Sequence, residues 1–363
     1  MKYIKGFDGL RCYSILLVVI THLGFANYFK EDSYLREHVF YFFSGSAGVN
    51  IFFAISGFLI TNLILYEIRE KGEFNLKFFF LRRFIRLLPP VIPFYLALFL
   101  FMKMGYVRDT TIGLFASALY IFNFVPKAKV IFSSELSHTW SLAVEEQFYM
   151  IWAFSFKFLN ERKRFILIFF CLALSIVAFY VLPLLEIQIK EEQYTLEKVF
   201  FIKRWTIPAI SPILLGALFA KLNFNNYKNI RNRFFGLKPG FISFIIFLSP
   251  FYLPNILMPL VKIFHGLGAT LILLWIYNNQ NRIIIGILEW FPIKYIGVIS
   301  YGIYIWQGFF LRTGPNVTPK IWLHEFPFNI FLTFVVAILS YELFEKKILR
   351  LKNNYKTTTT NNS

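Results

Sequence analysis

A chain of 363 residues, 57% of them hydrophobic and only 16% charged, is more apolar than a soluble protein of this length needs to be, and it reads as an all-α polytopic membrane protein. Its net charge of +18 would suit a nucleic-acid binder, but Lys and Arg lie scattered between apolar runs. With no groove-sized basic patch, nucleic acid is excluded as a partner and orientation in a membrane explains the cations better.

The first apolar stretch follows a basic start, as in a signal peptide, yet Arg11 and His22 interrupt it and no small-x-small cleavage site follows, so it is expected to stay as the first span. Between them Ile15 to Thr21 carries no ionisable group. Eleven helical steps bring His22 back to within about 20° of Arg11 and about 16 Å along the axis, so the two share a face. With Arg11 at the cytoplasmic mouth, His22 falls near the middle of a hydrocarbon core about 30 Å thick, where an ionisable group marks a functional site by default.

Apolar runs of spanning length follow at residues 40–66, 84–105, 139–159, 165–185, 206–222, 239–259, 263–279, 291–312 and 328–348, which with 12–29 makes about ten transmembrane helices. A shorter run at 111–124 is either an eleventh span or a re-entrant segment. Leaving it out of the count keeps the basic connections, among them Arg162-Lys163-Arg164, Lys228 to Arg233 and Lys346 to Arg350, on the side of the N-terminus. Both termini are then cytoplasmic and residues 107–138 and 186–204 are outer segments. Residues 1–350 form one membrane-embedded domain, and the polar, low-complexity residues 351–363 form a disordered cytoplasmic tail. Nothing is left over for a soluble catalytic domain.

Two further clusters could carry chemistry. At the cytoplasmic start of the third span, Arg82, Arg83 and Arg86 crowd one helix mouth. The planar guanidinium fork suits bidentate phosphate binding, although topology anchors would look similar. In the fourth span His138 precedes Glu145 by seven residues, within about 20° of one face, whereas Glu146 points about 100° away. Glu145 is therefore the expected partner of His138, and Glu146 of a neighbouring helix. Gly48, Ala54, Ser56 and Gly57 supply the small side chains that close helix packing needs. Tyr301, Tyr304 and Trp306 read equally well as interface anchors. His38, His265 and His324 have no partner at ligand spacing and read as structural, and no metal-binding or nucleotide-hydrolysing motif is present.

Taken in order, these residues resemble the acyltransferase-3 family of integral-membrane acyltransferases, which modify surface polysaccharides, peptidoglycan and related acceptors in bacteria. The resemblance covers nearly the whole chain. It rests on Arg11 and His22, on Gly48-Val49-Asn50-Ile51-Phe52-Phe53-Ala54-Ile55-Ser56-Gly57-Phe58-Leu59-Ile60-Thr61, on Arg83-x-x-Arg86, on His138-Thr139-Trp140-Ser141-Leu142 running into Glu145-Glu146-Gln147-Phe148-Tyr149, and on Ser300-Tyr301. Many relatives carry His where this chain has Gln307, and some append an extracytoplasmic hydrolase-like domain that this sequence does not show.

The resemblance implies transfer of an acyl group, commonly acetyl, from cytoplasmic acyl-coenzyme A to a hydroxyl of a cell-surface glycan or lipid-linked sugar, in the bacterial inner membrane and without a metal. His22 would be the general base, with Arg11, Glu145, Glu146 and His138 completing the catalytic set, and Arg82, Arg83 and Arg86 would hold the phosphates of acetyl-coenzyme A. A thioester is already activated, so the protein must mainly align donor and acceptor, remove one proton and steady an oxyanion. A carrier for a lipid-linked sugar or anionic solute, and a glycan polymerase, are the competing readings. The sequence leaves open the acceptor, the acyl group and assembly into a homo-oligomer.

Overall fold

The computed structural model describes residues 3–24, 43–132, 134–189, 192–225, 227–252, 257, 260–311 and 322–354. Helix α1 (Phe7–His22) starts after Gly6, at a φ of 87°, and α2 (Gly45–Lys71) after Ser44, whose hydroxyl accepts from the Ala47 N–H. Gly72, at a φ of 78°, ends α2 in the left-handed conformation that glycine adopts without steric cost. Asn75 caps α3 (Leu76–Lys103), which runs on through Pro89, Pro90 and Pro93. A proline has no N–H to give, so the carbonyls of Ile85, Arg86 and Pro89 lose their intrahelical donors immediately beside the arginine cluster.

The run at 111–124 forms α4 (Thr111–Ala118), then turns at Tyr120, which has a φ of 55°, into a 3-10 turn at Phe122–Phe124. Eight helical residues reach about 12 Å, well short of a bilayer core. Next come α5 (Lys127–Phe132), α6 (Thr139–Phe158) and α7 (Glu161–Val181). Strands β1 (Glu186–Ile189) and β2 (Glu192–Thr195) pair antiparallel, with Ile187 opposite Tyr194. Beyond them lie α8 (Leu196–Val199), α9 (Thr206–Ala209), α10 (Ser211–Asn225), α11 (Tyr227–Phe234), α12 (Leu237–Leu248) and α13 (Val261–Asn278). The chain continues with α14 (Ile283–Leu288), α15 (Phe291–Val298), α16 (Ser300–Phe310) and α17 (Phe328–Ser340), and a π-helical turn at Tyr341–Glu345 leads into α18 (Lys346–Asn354).

Among the described residues the fold is thus α-helical apart from one hairpin, consistent with an all-α membrane protein. Among the described residues five helices are long and apolar enough to cross a membrane: Gly45–Lys71, Leu76–Lys103, Glu161–Leu184, Val261–Asn278 and Phe328–Arg350. The remaining expected spans take other forms. The 139–159 run is α6, which carries Glu145 and Glu146, while 206–222 breaks at Ile210 and 291–312 breaks at Ile299. His38 and the tail beyond residue 354 lie outside the described residues. On its outer face α7 exposes Ile166, Phe169, Phe170 and Val177, side chains that hydrocarbon covers better than water.

Helix α2 is the hub, packed by α1, α6, α10 and α13. Its crossing with α10 depends on two glycines. A Cβ at Gly57 would stand 1.9 Å from the Ile213 carbonyl oxygen, and one at Gly216 would stand 2.2 Å from that of Ala54. The small residues expected to permit close packing therefore do so. Helix α1 is gripped from both sides in the same way: a Cβ at Gly48 would meet the Ser14 carbonyl at 2.5 Å, and one at Gly297 of α15 would meet that of Asp8 at 1.8 Å. This clamp fixes the depth and rotation of Arg11, one turn beyond Asp8.

Candidate active site

A cavity of about 160 Å³ opens where α1, α2, α3, α6 and α16 meet. Arg11, Arg82, Arg83 and Arg86 form its cationic wall, and Ser56, Glu145, Tyr149 and Tyr304 stand among the residues opposite. The expected arginine cluster and the expected carboxylate thus share one chamber.

The arginines are not equivalent. Arg82 gives a 2.6 Å ion pair to Glu67 on α2, and Arg11 gives a 2.7 Å ion pair to Asp8 on its own helix. Arg83 reaches Glu146 at 3.2 Å and lies over the Tyr149 ring, its guanidinium carbon 3.7 Å from the centroid. These carboxylates neutralise three of the four cations inside the protein. Arg86 has no hydrogen bond or ion pair among the described residues, is exposed to the cavity, and has Arg11, Arg83 and Glu145 in its electrostatic surroundings. Among the described residues Arg86 is thus the one arginine of the four whose charge no ion pair compensates.

The carboxylate pair divides as the helix phase requires. Glu146 bonds the neighbouring helix through Arg83, as expected. Glu145 does not pair with His138: it accepts a 2.7 Å hydrogen bond from Ser56 of α2, one further turn down the bundle. Instead the His138 ring is wedged edge-on between Phe94 and Tyr304, at centroid distances of 5.9 and 5.4 Å, with the Glu135 backbone as its hydrogen-bonding neighbour. His138 keeps helical dihedrals just before α6, so the phase holds, but seven residues of rise set it about 10 Å from Glu145 along the axis, too far for the side chains to meet. A Cβ at Gly308 would stand 2.1 Å from this ring, so α16 must carry glycine there.

What His138 does supply is its backbone carbonyl. The Tyr304 hydroxyl stands 2.9 Å and the Ser141 hydroxyl 3.3 Å from it, and the two hydroxyls are 2.6 Å apart. Ser141 and Tyr304 both line the cavity, whereas His22 does not. His22 lies beyond them, exposed in the last turn of α1, with Arg204 and His138 in its electrostatic surroundings. Its Nδ1 is 2.8 Å from the Val18 carbonyl oxygen. A carbonyl only accepts, so Nδ1 carries the proton and Nε2 is the basic nitrogen.

Arg204 and Ser56 escaped the sequence reading. Arg204 sits at the end of the 186–204 segment, and the available signal was an arginine immediately before the apolar run at 206–222. Ser56 was read only as a small packing residue. Gln307 is fully buried, and neither of its amide atoms has a hydrogen-bond partner.

A family model described as an acyltransferase domain matches residues 4–342. The chain belongs to the acyltransferase-3 family. It is similar to peptidoglycan O-acetyltransferase OatA of Listeria monocytogenes, with 28% identity over 96% of this chain and 56% of that protein. It is also 27% identical to a Staphylococcus aureus protein named "Putative O-acetyltransferase", over 95% of this chain and 57% of the other. With the Bacillus subtilis protein named "Putative peptidoglycan O-acetyltransferase YrhL" the identity is 26%, over 96% and 55%. The chain therefore spans little more than half the length of these relatives. No solved structure matches.

Proposed function

We propose that this acyltransferase domain moves an acetyl group from acetyl-coenzyme A to a hydroxyl of a peptidoglycan or other cell-surface glycan, or of a lipid-linked sugar. The observation that carries the reading is the pairing of an uncompensated Arg86, beside Arg11 and Arg83, with a basic imidazole nitrogen at the far end of α1, about 16 Å from Arg11. Names of the similar proteins supply the O-acetyl chemistry, and the family supplies the acyl transfer.

In this reading the coenzyme A phosphates bind Arg86, with Arg83 and Arg11 flanking, and the flexible pantetheine arm extends toward the Ser141–Tyr304 pair. Arg82, occupied by Glu67, shapes the wall. The acceptor approaches from the His22 end. His22 Nε2 takes the hydroxyl proton as the oxygen attacks the thioester carbonyl carbon, the carbon–sulfur bond breaks, and the departing thiolate receives a proton. Glu145, Glu146 and His138 hold the walls between the two poles. The Arg11 end faces the cytoplasm, both termini lie there, and the apolar runs cross the inner membrane of a bacterium about ten times.

Purified protein in lipid nanodiscs, given acetyl-coenzyme A labelled in the acetyl group and a peptidoglycan fragment, is expected to transfer label to the glycan. A carrier would leave the thioester intact, and that result would overturn the reading.

A further inference from the structure

The His22 end of the bundle carries a second cationic cluster that the acyl-donor chemistry does not use. Arg204 is held flat against aromatic rings, its guanidinium carbon 4.3 Å from the Phe201 centroid and 5.7 Å from that of Trp140. Among the described residues it makes no side-chain hydrogen bond and no ion pair. Lys262 of α13 is tied to the same segment: its ammonium donates to the carbonyl of Lys203 and, at 3.4 Å, to that of Pro208. Lys203 and Arg204 are its charged neighbours. Among the described residues the acid paired with the cluster is Glu197, 3.9 Å from Lys203, and both of those side chains are about half exposed, where such a pair is screened by water.

Arg204 also has Tyr304 and His22 in its electrostatic surroundings, so the cluster flanks the proposed base. A guanidinium that served only to anchor the chain at the membrane surface would be free to snorkel. This one is oriented by two rings and reinforced by a second cation with no carboxylate between them. A donor bound through Arg86 lies at the other end of α1 and cannot supply the missing negative charge.

We propose that Arg204, with Lys262 beside it, binds an anionic group of the acceptor, a sugar carboxylate or a phosphate, and so holds the accepting hydroxyl against His22. This rests on the O-acetyltransferase reading above. The anion neutralises the cluster, and its distance along the acceptor selects which hydroxyl reaches Nε2. Acceptors lacking a charge near the accepting hydroxyl bind without this anchor and transfer poorly.

The test compares a carboxylated amino-sugar disaccharide with its primary amide as acceptors for labelled acetyl-coenzyme A, using full-length protein in nanodiscs. Wild type should prefer the acid by about tenfold or more in kcat/KM, mainly through KM. Arg204→Gln should bring that ratio to about 1, and Arg204→Lys should restore part of it. A loss that strikes both acceptors equally, leaving the ratio intact, would make Arg204 structural and overturn the proposal, as would a wild type indifferent to the charge. A polyprenyl phosphate that competes with acceptor in wild type but not in Arg204→Gln identifies the anion as a lipid phosphate; discrimination confined to the disaccharide identifies a carboxylate. Equilibrium binding of both probes to His22→Gln protein separates the two readings. Arg204-dependent binding without any transfer by wild type upholds the anion site and removes the acetyltransferase reading; transfer without Arg204-dependent binding does the reverse.

Discussion

In the proposed mechanism single residues carry the chemistry at each pole of α1. His22→Gln keeps a hydrogen bond to the Val18 carbonyl but cannot take a proton, so turnover is expected to fall by about 10²- to 10⁴-fold while insertion persists, read by labelled-acetyl transfer and by yield of monodisperse protein. Retention of more than about a tenth of wild-type turnover would assign proton removal elsewhere. At the other pole the arginines should separate. Arg86→Ala, which removes the uncompensated cation, is expected to weaken acetyl-coenzyme A binding by about ten- to hundred-fold, with Lys restoring part of it. Arg82→Ala orphans Glu67 from a 2.6 Å ion pair instead, so its main effect should be lower thermal stability with donor affinity changed less. Calorimetric titration of donor beside thermal melts of the two variants checks both, and equal donor affinities would refute the distinction. The four arginines were legible as cations near a helix mouth. Their division was not, because for Arg82 and Arg83 it depends on which carboxylates other helices bring, Glu67 from α2 and Glu146 from α6.

At the scale of elements, the crossing of α2 with α10 sets the position of everything on α2, including Ser56 and through it Glu145. Gly57→Ala would press a methyl group into the Ile213 carbonyl, which permits no local adjustment, and should cost about 1–3 kcal/mol of stability. Gly286→Ala on α14 meets nothing within 4 Å and should be neutral or stabilising by up to about 1 kcal/mol. Thermal melts in detergent compare the pair; a Gly57 variant as stable as the Gly286 variant would show that the helices can part without loss. The sequence announced this crossing through its small residues, since only they allow backbones to touch. It could not announce the breaks at Ile210 and Ile299, because an apolar run reads the same whether one helix or two short ones fill it. The misplacement of His138 has another origin: periodicity gives a shared face, but a seven-residue separation leaves about 10 Å of rise between the two side chains.

For the molecule as a whole, the charge distribution predicts sidedness. Cysteines introduced one at a time at residues 228–238 and 186–204, in a background lacking Cys12 and Cys171, should show only the second segment labelled by an impermeant maleimide on intact cells. Labelling at 228–238 would invert the second half of the chain. Composition alone determined that this is a helical membrane protein, because 57% hydrophobic residues in long runs satisfy their backbone in hydrocarbon only as helices. Spacing alone determined that Arg11 and His22 share a face, because 3.6 residues per turn is a property of the chain and not of its neighbours. Which arginines lack an ion pair, what Glu145 bonds, and the arrival of Arg204 near His22 with Lys262 next to Arg204 were decided only by tertiary structure. Each is a contact between segments far apart in sequence, and the free energy of a charge is set by the partners that surround it once the helices have packed.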